Sequence, residues 1–474
     1  VSLPVTVTFM LADWIIKGLA DGTLERVGGV IREVGTKQVV TWLREIAGQT
    51  TQVNTLKDIA GQSVQGNTSN NLLNLIFSGA NLITSGTNTV VTKQGLANVN
   101  QILGGVVQAS LGNIALSGVN LVATVANAAI TRKGFADVNQ RLDSVENHLG
   151  GIEQTLEIAQ GILQVTTAAS ILNLGVSVMG FVVIAQRLKE IEQRLQQTQE
   201  LLNKINRKID ISFYANFRAA IELAINAFTM TKTENRRSSA LQAINRFLEA
   251  EHIYTEFIDI EIDKKSQIAE EYILTLTLAY LSEARCYLEL EEHDTAIRRF
   301  QEGTKVIRTR IQKYVDIMLT SNPAAYLQPQ FQGQIDLQRL TQIYQWIDPT
   351  LNENKVFEMQ RDNLFKWNQD PNKWVETLPA LIWEPNLDWA GKAFWDDPKP
   401  TIYARLPKTF EKIESMIETS RRFEAYQTEV QAISQLGISF HEWLKLTPST
   451  EVKPESAEFM YIIPSTPLEL KPSC

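Results

Sequence analysis

At 474 residues the chain is long enough for two or three domains with cores of their own. Its 44% hydrophobic and 21% charged residues exclude a wholly disordered protein. A net charge of −8 and a pI near 5.4 leave no clustered basic footprint to neutralise phosphates, so nucleic acid is set aside as a partner.

Residues 1–58 are expected to form an N-terminal helical segment. Leu3 to Ala12 is apolar, but no basic stretch precedes it and Asp13 interrupts it, so the layout of a secretory signal is missing. The expectation is a cytoplasmic protein with conditional membrane association. Two cysteines, Cys286 and Cys474, give neither a disulfide framework nor a zinc spacing, and a reducing compartment suits them.

Residues 59–212 carry the most informative feature, a near absence of charge. Between Ile59 and Thr131 the charged side chain is Lys93, and between Ile158 and Gln186 there is none. Asn, Gln, Ser, Thr, Gly and Ala interleave with Leu, Ile and Val throughout. The stretch is also duplicated: Ser78-Gly79-Ala80-Asn81-Leu82 returns as Ser117-Gly118-Val119-Asn120-Leu121, and Gly95 to Gln101 returns as Gly134 to Gln140. A diverged third copy runs from Leu172-Asn173-Leu174 to Glu192-Gln193-Arg194-Leu195.

Each copy ends in an amphipathic part, and two of these have heptad spacing. Phe135, Val138, Leu142, Val145, Leu149, Ile152 and Leu156 form one seam; Leu188, Ile191, Leu195, Thr198, Leu202, Ile205 and Ile209 form the other. Long heptad helices flanking an apolar segment predict a coiled-coil hairpin, with one very long helix as the alternative. A bilayer core needs roughly twenty apolar residues in a helix, and Thr166 to Ala185 offers that length without a charge. Ile171, Leu174, Val178, Phe181 and Val183 are the candidates for membrane insertion. A Val178→Asp change is expected to abolish membrane leakage while sparing the fold. Gly175 and Gly180 favour close helix approach, and Asn173 and Gln164 oppose insertion of a lone helix. The competing expectation is a central helix buried in a soluble or oligomeric core.

Residues 213–320 change to densely charged amphipathic helices. Tyr280, Ala284, Tyr287, Ala296, Phe300 and Gly303 fall at tetratricopeptide spacing, so the stretch near 277–310 resembles one such helix pair. Ala243, Phe247 and Ala250 echo its second helix. Residues 321–474 are rich in proline, and five of the nine tryptophans lie between Trp367 and Trp395. A terminal helix near Lys408–Leu436 and an extended tail from Pro448 complete an all-α expectation.

No catalytic signature emerges. The histidines His148, His252, His293 and His441 are far apart, and no HExxH, GxSxG or glycine-rich phosphate loop is present. The carboxylate groups Glu256, Asp259, Glu261, Asp263 and Glu289, Glu291, Glu292, Asp294 read as solvated faces. No enzyme, metal or cofactor is expected.

The order heptad helix, apolar segment, heptad helix over residues 60–215 resembles α-helical pore-forming toxins of the cytolysin A and haemolysin BL type. That likeness is one of layout and carries no functional residue across. It implies a membrane-inserting, homo-oligomerising protein, a toxin or defence effector, with a lipid membrane as partner and a protein regulator at the C-terminal helical domain. The alternative is a soluble scaffold acting through coiled-coil and tetratricopeptide-like interactions.

Overall fold

Near the N-terminus, β-branched and aromatic residues gather in short runs, and the longest, Val39-Val40-Thr41-Trp42-Leu43, suits a strand buried on both faces. The computed structural model describes residues 4–46, 170–202, 212–266, 268–320, 322–331, 333–369, 399–448, 451–454, 457 and 459–470. The chain divides into two units, residues 1–60 with 159–474 and residues 61–158, and the described residues belong to the first.

In that unit the expected N-terminal helical segment is corrected. It holds β1 (Val5–Thr8), a short helix α1 (Asp13–Ala20), β2 (Leu24–Val27), β3 (Val30–Glu33) and β4 (Val39–Glu45). The tail from Pro448 contributes β5 (Phe459–Pro464), which inserts between β1 and β4 and gives an antiparallel sheet of order β1-β5-β4-β3-β2. Ile462 faces Val7 on one side and Trp42 on the other. The two chain ends therefore close one sheet.

Gly28 and Gly29 form the two-residue turn between β2 and β3. Gly28 has φ 54°, in the left-handed region that such turns require. A Cβ there would lie 2.4 Å from the Arg421 carbonyl oxygen. Gly28→Ala is expected to cost at least about 2 kcal/mol, combining backbone strain with overpacking, read as a lower denaturation midpoint at unchanged m-value.

Helices dominate the remaining described residues: α2 (Phe181–Leu202), α3 (Ser212–Thr229), α4 (Thr233–Asp263), α5 (Ile268–Glu289), α6 (His293–Met318), α7 (Leu337–Ile347), α8 (Glu353–Gln369), α9 (Lys399–Leu436) and α10 (Phe440–Leu444). The fold is mostly helical with a small sheet, where an all-α chain was expected. Helix α5 is buried along almost its whole length, its charged Glu270, Glu271, Glu283 and Arg285 included. Its neighbours α2, α4 and α6 surround it, and α9 lies on α6 and against β2 and β3. Gly303 on α6 lets the helices approach closely: a Cβ there would meet the Phe423 ring of α9 at 2.9 Å and Tyr280 of α5 at 3.0 Å. Ser439 and Glu442 close a reciprocal capping box at the start of α10.

Candidate functional site

The described chain leaves the sheet just after β4 and comes back at Ser170, and the two ends meet. The Glu45 N–H donates to the Leu174 carbonyl at 3.3 Å, and the Leu174 N–H donates to Glu45 Oε1 at 2.9 Å.

From Ser170 to Gly180 the backbone is irregular and largely buried. Buried backbone outside helices and sheets must find hydrogen-bond partners elsewhere, and here side chains supply them. Arg422 of α9 donates to the Leu172 carbonyl at 2.5 Å and to Glu45 Oε1 at 3.4 Å. The Asn173 amide donates to Glu45, and the Tyr426 hydroxyl donates to the Asn173 carbonyl. Glu429 accepts the Val176 N–H at 2.7 Å, and Arg285 of α5 donates to the Val176 carbonyl at 3.1 Å. Ser170 and Thr419 share a hydroxyl hydrogen bond of 2.9 Å. Gly175 has φ 90° and could not be replaced without strain.

Four residues on α9 make this strap fit. Glu418, Arg422, Tyr426 and Glu429 follow one another by four, four and three positions, which places them on one helical face. Glu418 is gripped by Arg422 at 2.9 Å and by Arg26 at 3.0 Å. Burial alone would raise its carboxyl, but Arg26 and Arg422 outweigh that and hold it below the usual range. Glu429 accepts the Trp443 indole N–H at 2.6 Å and faces Arg44 at 3.8 Å. Burial pulls Arg44 down to about 10 against the counter-pull of Glu429, and burial pushes Glu429 up. Arg44 also donates to the carbonyls of Trp443 and Leu446, so the clamp ties strap, sheet and α10 together.

The membrane-insertion candidates lie in this strap and in the first turn of α2. Ile171, Val178 and Phe181 are buried, Leu174 is 0% exposed and Val183 is half-buried. Ile171 and Phe181 belong to the main helical core, whereas Leu174 joins the smaller core between sheet and α1, against Ile15, Ile31 and Leu43. The expected helix over Thr166–Ala185 is thus corrected within the described residues: helix starts at Phe181, after a bent strap. A Val178→Asp change would act on folding, because Val178 is core. Of the seam residues, Leu188, Ile191 and Leu195 are buried against the body's own helices, and Leu202 closes α2. Leu142 and Leu149, the first two copies of the repeat and most of the tryptophan-rich stretch lie outside the described residues.

Of the carboxylates singled out from spacing, Glu256, Asp263, Glu291, Glu292 and Asp294 are exposed, and others meet a basic side chain. Asp259 meets Arg310 at 2.6 Å, Glu289 meets Arg285 at 2.8 Å, and Glu291 lies 3.0 Å from His293. Among the described residues no group of three or more His, Cys, Asp or Glu could hold a metal ion. No helix among them is long and apolar enough to cross a membrane. A cavity of about 370 Å³ opens beside Ser170, but its bordering Glu270 is held by Lys412 at 2.6 Å and its Arg187 by Glu190 at 3.0 Å.

The clamp residues Glu45, Arg285, Arg422, Tyr426 and Glu429 escaped the sequence reading. The signal that could have found them is the charged triplet Glu418, Arg422, Glu429 on the same face as the apolar run of α9. The chain matches no protein-family model, no curated protein and no solved structure.

Proposed function

We propose that the chain is a membrane-perturbing, oligomerising protein in which a folded helical body accompanies a charge-poor region, residues 47–169. The observation that carries this is the near absence of charge between Ile59 and Thr131, next to a body whose own apolar strap is already buried as core. Insertion is assigned to the duplicated run Ile59–Thr131, where Lys93 is the one charge. The strap residues first singled out serve the body as core, and spending them on lipid would cost the fold. A charge at mid-membrane costs about 2.5–3.5 kcal/mol on insertion scales, so a run with one charge meets little of that barrier. Small and polar residues in the run favour helix–helix contact over a lone span, which suits insertion by several copies together. No catalytic step enters the proposal.

The test is release of dye from lipid vesicles by the full chain. Wild type is expected to release dye, and Val119→Asp in the charge-poor region is expected to abolish release while leaving the thermal transition of the body unchanged. Absence of both release and lipid binding, across pH and lipid composition, would overturn the proposal.

A second reading, a soluble scaffold, is favoured by one observation. Tyr280, Ala284, Ala296, Phe300 and Gly303 keep tetratricopeptide-like spacing on two adjacent helices, α5 and α6, and all five are buried. A scaffold would stay in the soluble fraction of disrupted cells and lose its oligomer, rather than its leakage, on Val119→Asp.

A further inference from the structure

Helices α4, α5 and α6 enclose a charge group that the clamp does not touch. The side chains of Glu251 on α4 and Glu283 on α5 are 4% and 0% exposed. Each gives one oxygen to the Arg299 guanidinium of α6, which also reaches the more exposed Glu302. The remaining oxygen of each, Oε1, is shielded from solvent and meets no protein N–H or O–H. The two carboxyls thus converge on one guanidinium, and each perturbs the other. Two acceptors cannot satisfy one another unless a hydrogen lies between them.

We infer that Glu251 and Glu283 hold one proton between them at neutral pH, forming a proton-binding site in the interior of the helical body. Charge balance agrees. Arg299 brings one positive charge against two interior carboxylates, and a second negative charge there would be buried without compensation. Titratable groups beside the pair also include Tyr280, Cys286 and Tyr287 from α5 and Glu302 from α6, none of them a cation. Arg299 stacks 5.2 Å from the Tyr280 ring, which fixes its fork. Burial first, and the neighbouring carboxyl second, push Glu251 well up from the usual carboxylate range; Glu283 shifts the same way. The two share the transition, so it belongs to the pair.

The sign follows from linkage. The folded pair keeps a proton that the unfolded chain releases above ordinary carboxylate pH, so the stabilisation is complete in acid. It shrinks as pH rises, until the folded pair itself deprotonates. Glu251→Gln imitates the neutral acid, keeping a donor for Glu283 and an acceptor for Arg299. In the full chain its Tm is expected to rise relative to wild type with each step from pH 6 to pH 9. Infrared difference spectra at pH 7 are expected to show the carbonyl stretch of a protonated carboxylic acid in wild type and its loss in Glu251→Gln. Glu251→Gln spectra superimposing on wild type, or a Tm gap that does not widen with pH, would overturn the inference. So would a wild-type Tm raised by added Mg²⁺ or Ca²⁺ but unmoved in the variant, since the pair would then hold a cation.

Discussion

Leu174→Asp is expected to abolish the cooperative thermal transition of the body at neutral pH. Leu174 is 0% exposed and packs on Ile15, Ile31, Leu43 and Tyr461 between the sheet and α1. An aspartate there would lose that apolar burial, about 1.5–3 kcal/mol for a leucine-sized side chain. It would also place a carboxylate beside Glu45, whose Oε1 already accepts the Leu174 N–H. Burying a charge without a partner adds several kcal/mol. The sum approaches the roughly 5–15 kcal/mol that holds a folded domain together. Circular dichroism melting checks it directly: a sharp transition within a few degrees of wild type would mean that the strap is not core. Paired with Val119→Asp, the substitution separates the two parts of the chain. One is expected to destroy the body, the other the leakage.

Arg422→Ala should lower the stability of the body by about 3–5 kcal/mol, the usual cost of removing one partner from a buried ion pair. The loss comes from what Arg422 leaves behind. Glu418, its side chain 1% exposed, keeps Arg26 but loses its second cation, and the Leu172 carbonyl loses its donor. Glu45 loses a weaker contact at 3.4 Å. Guanidinium denaturation reads the cost as a reduced midpoint. Combining Arg422→Ala with Glu418→Ala is expected to recover part of the loss, because the stranded carboxylate goes with its partner. Full additivity of the two single changes would show that the pair does not interact.

Several elements were legible before any coordinates. The densely charged amphipathic helices within residues 213–320 and the terminal helix α9 follow from side-chain spacing. The sheet also had local signals that a helical reading passed over. Gly28-Gly29 between two β-branched runs is a hairpin signature, and Phe459-Met460-Tyr461-Ile462-Ile463 is a strand-like run within a tail taken as merely extended. What no local pattern carries is the pairing of β5 with β1 and β4, which joins residues more than four hundred positions apart.

By itself, the sequence determined that the protein is mostly helical, that its charge is missing from one long region, and that this region is duplicated. These are properties of composition and period, and they need no partner to be read. Tertiary structure alone decided that an apolar, charge-free segment around Leu174 is a bent strap inside the body. Hydrophobicity states only that a segment avoids water. Whether a bilayer or a protein core receives it depends on whether its backbone groups find donors and acceptors, and here Glu45, Arg285, Arg422, Tyr426 and Glu429 arrive from distant parts of the chain to provide them.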